Sequence, residues 1–179
     1  MLNARAALWK EYCHLHDLVI KFVAGHELCR RFMQIPGVGP VAALSFVTGI
    51  DDPSRFRRSR DVAAYFGLTS RRWQSGSSVD VQGRISKAGD PDVRRALYEA
   101  ASALLTRFKR KDKVKSWGLS IAKRSSHRKA TVAVARKLAV IMHAMWVDGT
   151  FLLWRSAVSP ADASARAAAK ERKLLKTSA

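Results

Sequence analysis

Ser75 stands in the string Arg71-Arg72-Trp73-Gln74-Ser75-Gly76, and a second basic string, Gly83-Arg84-Ile85-Ser86-Lys87-Ala88-Gly89-Asp90, follows it closely. Arg71, Arg72, Arg84 and Lys87 could surround one phosphate, with a serine hydroxyl poised to attack it. A serine hydroxyl is a weak nucleophile until something activates it. Cations around the phosphate would also stabilise the charge that grows in the transition state. Most serines in a Gly/Ser loop are solvated turn residues, so it is the basic company that singles out this stretch. Ser77 and Ser78 add nearby hydroxyls and are alternatives to Ser75.

A second constellation is Ile35-Pro36-Gly37-Val38-Gly39-Pro40. A Gly-x-Gly turn between two helices lets the backbone approach a phosphate with no Cβ in the way. Its amides and the following helix N-terminus then face the anion. That pattern suits a helix-hairpin-helix element, which holds DNA backbone without reading sequence. Gly37, Val38 and Gly39 are therefore candidate DNA contacts; the plainer alternative is a tight turn between packed helices.

Other residue groups point to less. Cys13, His14, His16, His26 and Cys29 lie along one helix, but their spacing fits no standard zinc pattern. No metal site is expected among them. His127 and His143 are isolated and read as packed or solvated residues. Trp73, Trp117, Trp146 and Trp154 could stack on bases, although core packing is the commoner fate of tryptophan.

Charge decides the class of partner. The 179 residues carry a formal net charge of +19, with 33 Lys and Arg against 14 Asp and Glu. Residues 53–137 hold 22 of those cations and only 6 of the acids, so the excess is concentrated in the middle of the chain. A polyanion is the natural counterpart, and nucleic acid is the commonest. At 47% hydrophobic residues the chain can build a core, which excludes global disorder. Two cysteines make no disulfide framework. No secretory leader is read at the N-terminus and no apolar run approaches the ~20 residues of a membrane span. A cytoplasmic protein without membrane contact is expected.

The elements that must position these residues read as mainly helical. Residues 3–33 form one long amphipathic helix, with Leu8, Tyr12, Leu15, Val19 and Phe22 in a 4-3-4-3 stripe and Gly25 as a weak point. Such a stripe suits a coiled-coil arm and a homo-oligomer. Residues 41–49 form a small-residue helix, 61–66 a short one that Gly67 stops, 90–108 a third that Asp90 and Pro91 start. A short helix at 115–123 and a long one at 126–147, with Val132, Ala135, Leu138, Ala139, Met142 and Trp146 on one side, complete the set. Residues 69–87 stand apart as a small irregular or β-hairpin insert. The chain thus divides into a linking helix (1–33), a DNA-handling domain (34–155) and a basic tail (156–179). The expected fold is mainly α, a helical domain containing a helix-hairpin-helix, the small hairpin insert and the long N-terminal helix.

Several blocks together resemble one family. They are Ile35-Pro36-Gly37-Val38-Gly39-Pro40, Phe56-Arg57-Arg58-Ser59-Arg60-Asp61, Ala64-Tyr65-Phe66-Gly67-Leu68 and Gln74-Ser75-Gly76. To these are added Gln82-Gly83-Arg84-Ile85-Ser86-Lys87-Ala88-Gly89, Ala133-Val134-Ala135-Arg136-Lys137-Leu138-Ala139 and Met145-Trp146. In this order they resemble the C-terminal domain of the IS-110/IS-1111 (also IS-116/IS-902) insertion-sequence transposases. The resemblance implies a bacterial, nucleoid-associated DNA recombinase of two domains. An N-terminal RuvC-like domain would carry metal-binding carboxylates. The C-terminal domain would carry the serine that joins covalently to DNA, here Ser75. Some members are guided by a structured RNA of the element, which makes a guide RNA a candidate partner beside DNA. Residues 1–33 resemble only the linking helix of the family. The chain is therefore expected to act as a fragment, inactive alone. It needs no cofactor of its own, and Mg2+ is expected only with the RuvC-like domain. The alternative is a non-catalytic nucleic-acid-binding module or a basic structural protein.

Overall fold

Helix α7, His127–Val147, is where the sequence concentrates its apolar small residues, and the domain is assembled around it. Ala130, Val134, Ala135, Leu138, Ala139, Met142 and Met145 are buried along it, with the polar Thr131 and His143 among them. By length and composition alone α7 could cross a membrane, yet half of its apolar window is buried in the domain. The expected face included Val132 and Trp146; both are half-buried, and the centre of the face runs through Val134 instead.

The computed structural model describes residues 2–75, 79–109 and 112–149; the side chains of residues 2 and 73–82 are outside that description. The order is α1 (Leu2–Gly25), α2 (Glu27–Phe32), α3 (Pro40–Ile50), a single 3-10 turn (Pro53–Arg55), α4 (Ser59–Tyr65), β1 (Ser70–Ser75), β2 (Val79–Ile85), α5 (Pro91–Thr106), α6 (Lys113–Arg124) and α7. The described chain is thus mainly helical with one small antiparallel sheet. The tail expected at 156–179 lies outside the described residues.

Helices α4, α5 and α6 pack on α7, and α3 packs on α5. Helix α5 buries Val93, Leu97, Ala100, Ala101, Leu104 and Leu105, the six residues its periodicity predicts. Its start is also as read: the Asp90 carboxylate accepts from the N–H groups of Asp92 and Val93, and Pro91 occupies the first turn. Gly118 lets α6 lie flat on its neighbours, since a Cβ there would come within 2.6 Å of Val134 and 2.8 Å of Leu105.

The N-terminal region departs from the single helix expected over 3–33. It breaks at His26, directly after Gly25, into α1 and α2. The His26 ring caps α2, its Nδ1 accepting from the Cys29 N–H at 3.4 Å. Propensity explains the place of the break: Gly25 weakens the helix, and a side-chain cap rewards a restart. Helix α1 meets the domain only near its end, where Val23 is buried. Leu8, Tyr12, Leu15 and Phe22 of its apolar stripe are exposed, Leu8 at 73%.

Candidate nucleic-acid interface

The turn between α2 and α3 is tightened by two backbone bonds, Ile35 N–H to Phe32 O and Val38 N–H to Ile35 O, both 3.0 Å. Gly37 has φ +92°, a region that favours glycine. It also faces inward. A Cβ on Gly37 would lie 2.3 Å from the Ala100 carbonyl oxygen and 3.1 Å from the Leu104 side chain. The missing side chain at Gly37 therefore serves the packing of this turn on α5. Gly39 is different: nothing lies within 4 Å of a Cβ built there, and it caps α3 with no side-chain hydrogen bond. The first-turn amides of α3 thus have no side-chain acceptor at the cap. Gly37 and Gly39 line a groove of about 540 Å³ together with Ser45, Arg95, Glu99 and Arg107. Sequence reading did not single out Arg95 or Arg107, which enter from α5. Arg95 is paired with Asp92 at 3.5 Å. The pattern of every third or fourth residue along α5 was the available signal for both.

The second constellation lies on the ribbon β1–β2. The two strands are antiparallel, pairing Ser75 with Val79, Trp73 with Val81, Arg72 with Gln82 and Ser70 with Ile85. Three steps along β2 match two along β1, so Gly83 and Arg84 both stand opposite Arg71 in a bulge. Strand alternation puts positions 71, 73 and 75 on one face. The bulge adds position 84 to that face, because its neighbour Ile85 belongs with Ser70 on the other. Arg72 falls with Gln82 and Asp80 on the opposite face. The side chain of Ser75 is not among those described, and Ser77 and Ser78 lie outside the described residues. Arg71 donates from Nη2 to the Ser86 carbonyl at 3.0 Å, which ties it to the base of the ribbon.

That base is firmly built. Helix α4 ends in a Schellman pattern: Leu68 N–H donates to Ala63 O and Gly67 N–H to Ala64 O, with Gly67 at φ +67°. The return strand crosses directly over this end. Ser86 N–H donates to Thr69 O at 2.8 Å and Lys87 N–H to Gly67 O at 3.1 Å. A Cβ on Gly67 would sit 2.3 Å from Ala88 O, and one on Gly89 would sit 2.0 Å from Tyr65 O. Two backbones touch here with no room for a side chain on either. Lys87 itself adopts φ +55° at the crossing. Arg94 of α5, which sequence reading missed, closes the arrangement. Its Nη1 donates to the carbonyls of Phe66 (3.1 Å), Ala88 (3.2 Å) and Asp90 (3.5 Å).

The α2–α3 turn and the ribbon are separate stations on α5. Gly37 abuts Ala100, while the ribbon base abuts Asp90 and Arg94. At 1.5 Å per helical residue these anchor points lie about 9 to 15 Å apart along the helix.

A third basic element lies between α3 and α4, where Arg55, Arg57, Arg58 and Arg60 follow one another closely. The buried His143 positions it from α7. Its Nε2 lies 3.1 Å from the Pro53 carbonyl and its Nδ1 lies 3.0 Å from the Ser59 hydroxyl. A carbonyl can only accept, so Nε2 carries the proton it donates, while Nδ1 and the Ser59 hydroxyl share the second bond. Phe56 packs edge-on against both His143 and Tyr65. Asp52 caps the 3-10 turn, and its bonds from the Ser54 hydroxyl and N–H hold its carboxyl below the usual range. His143 is thus a packed residue, as its isolation in the sequence predicts.

Among the described residues no group of three or more His, Cys, Asp or Glu is placed to hold a metal ion. Asp52, Asp90 and Asp112 serve as helix caps instead.

Comparison with known proteins fits this arrangement. Residues 29–116 match the model of the transposase IS116/IS110/IS902 family. The chain is 39% identical to the transposase for insertion sequence element IS1111A of Coxiella burnetii, over 70% of this chain and 35% of that protein. It is 30% identical to the transposase for insertion sequence element IS1328 of Yersinia enterocolitica, over 72% of this chain and 38% of that protein. It is also 30% identical to the pilin gene-inverting protein of Moraxella bovis, over 62% of this chain and 34% of that protein. The chain spans about a third of the length of these curated relatives. The matched stretch includes the α2–α3 turn, the ribbon and its crossing, and all of α5. This chain belongs to the IS116/IS110/IS902 family of transposases.

Proposed function

We propose that this chain is the DNA-handling part of an insertion-sequence recombinase whose serine nucleophile is Ser75. The observation that carries this reading is the ribbon register, which groups positions 71, 75 and 84 on one face in a chain of a transposase family. Arg71 and Arg84 would hold the scissile phosphate from that face, with Arg72 and Lys87 at its margins. In the step itself the Ser75 hydroxyl oxygen bonds to phosphorus, the phosphorus–oxygen bond to the leaving strand breaks, and the hydroxyl proton ends on the leaving oxygen. Fixed guanidinium groups favour such a step because they stabilise charge that grows during it. The family's metal-binding carboxylates would come from outside the described residues, and the described part would be inactive alone.

The hairpin would supply a second contact. Gly39 and the uncapped start of α3, beside Arg107 in the groove, suit a backbone phosphate. Val38 is buried and supports the turn rather than the ligand. Helix α1, with its stripe exposed, would join a second copy of the chain. A guide RNA and a bacterial nucleoid location complete the reading.

Covalent trapping tests it. This chain, together with a full-length relative to supply the carboxylate domain, is mixed with DNA carrying the element's junction and resolved on a denaturing gel. A protein–DNA adduct of this chain that Ser75→Ala abolishes is the expected result. An adduct that survives Ser75→Ala moves the nucleophile to Ser77 or Ser78. No adduct, with DNA still bound, leaves a non-catalytic DNA-binding module.

A further inference from the structure

The outer face of α6 combines an aromatic ring with cations in a way the reading above does not use. Trp117 is 43% exposed although α6 is packed on α7 along Gly118. On a helical projection Lys113 and Arg124 lie within about 40° of Trp117, one turn before it and two turns after. Ser120 lies between them, and all four side chains are exposed. Ser120 donates to the Trp117 carbonyl at 2.7 Å, and the Arg124 Nε donates to the Ser120 carbonyl at 3.4 Å. Asp112, the acid next to this stripe, is engaged as the cap of α6 and accepts from the Lys115 N–H at 2.9 Å. From residue 113 to residue 147 the sequence carries eight Lys and Arg and no Asp or Glu. An indole left open between two cations, in a stretch of sequence without acids, is matched by a base between two phosphates. Base–aromatic stacking tolerates any sequence, while the cations follow the backbone. A duplex offers its phosphates but keeps its base faces stacked, so the ring gains nothing from it.

We propose that the Lys113–Trp117–Arg124 face of α6 is a platform for an unpaired DNA strand, with one base stacked on Trp117 and the flanking phosphates on Lys113 and Arg124. The choice of DNA over RNA rests on the recombinase reading, since strand exchange exposes unpaired DNA; the platform itself rests on α6 alone. Its place is distinct from the ribbon and from the α2–α3 hairpin.

The full chain is titrated into a dye-labelled oligothymidylate and, separately, into a labelled DNA hairpin duplex, following anisotropy. Trp117→Leu keeps the apolar bulk and removes the ring face; Trp117→Phe keeps a ring. Thermal melts check that both variants fold. The expected result is that Trp117→Leu weakens oligothymidylate binding about tenfold, leaves duplex binding within about twofold, and that Trp117→Phe recovers most of the loss. Lys113→Gln with Arg124→Gln lowers the salt slope for oligothymidylate by about 1.4. Equal oligothymidylate affinity for wild type and Trp117→Leu overturns the platform while leaving the duplex reading intact. So does an equal loss on both probes. Trp117-dependent oligothymidylate binding without duplex binding supports the platform and sinks the hairpin contact instead. An oligouridylate that binds more tightly than oligothymidylate, with the same dependence on Trp117, overturns the assignment to DNA.

Discussion

Arg94 donates to the carbonyl oxygen of Phe66 across 3.1 Å, joining the start of α5 to the end of α4 just where the ribbon returns. The same nitrogen reaches Ala88 and Asp90, so one guanidinium holds three carbonyls of two other segments. Charged donors to backbone carbonyls contribute more than neutral ones. Arg94→Ala is expected to lower unfolding free energy by roughly 1–3 kcal/mol, and Arg94→Lys by less. Limited proteolysis should cut Arg94→Ala in residues 70–89 at denaturant concentrations where the wild type resists. Cleavage patterns that match the wild type would remove Arg94 from its role at the ribbon base.

Two hairpin glycines separate packing from binding. Gly37→Ala places a Cβ 2.3 Å from Ala100 O at a positive φ, and both effects destabilise. Gly39→Ala meets open space with φ −96° and leaves the fold unchanged. The expected outcome is a loss of several degrees in Tm for Gly37→Ala, none for Gly39→Ala, and weaker duplex DNA binding for Gly39→Ala at unchanged Tm. Unchanged affinity in that folded variant assigns the turn to structure alone.

Much of this arrangement was legible in the sequence. The buried face of α5 follows from its 3.6-residue period, and its start follows from Asp90-Pro91. The ribbon follows from the change of pattern over 69–87, and the α4 stop from Gly67. What was not legible is long-range. Gly37, read as a residue that admits a phosphate, is also where α5 comes close, and the sequence does not say which backbone approaches a glycine. Arg94 resembles any surface arginine until three carbonyls from two other segments converge on it. The bulge that moves Arg84 to the Ser75 face is a property of pairing register, which depends on both strands at once.

His143 carries a prediction about the Arg55–Arg60 segment. Its ring satisfies Pro53 O and Ser59 Oγ inside the core. His143→Ala removes both partners and leaves a cavity, with an expected cost of about 2–5 kcal/mol. His143→Gln, which can still donate and accept, should recover part of it. Urea unfolding of the three proteins decides the matter. A His143→Ala protein as stable as the wild type would mean that neither contact holds the segment.

Thiol chemistry should distinguish the two cysteines. Cys29 lies on the buried face of α2, and burial pushes its thiol above the ordinary value. The thiolate is the reactive form, so a raised value and lost access act together. Cys13 lies half-exposed on α1. An alkylating reagent at neutral pH should label Cys13 in the native protein and reach Cys29 only when denaturant is added, as peptide mass mapping will show. Rapid native labelling of Cys29 would mean that α2 opens readily from the domain.

Salt should separate the electrostatic contacts from the others. Of the 33 Lys and Arg, 22 lie in residues 53–137, which include the Arg55–Arg60 segment, the ribbon cations and Arg107. Each phosphate contact with duplex DNA releases condensed counterions and adds about 0.9 to the slope of log affinity against log salt. If several of these groups bind phosphate together, duplex affinity must fall steeply as salt rises. Arg107→Gln should reduce that slope by about 0.9 if the groove beside Gly39 holds a phosphate, and Arg84→Gln likewise for the ribbon. Arg95→Gln should change it less, because Arg95 already faces Asp92 across 3.5 Å. A shallow slope in the wild type would mean that the charge excess serves something other than the DNA backbone. A steep slope insensitive to Arg107 and Arg84 would move the binding face to another of the cationic elements.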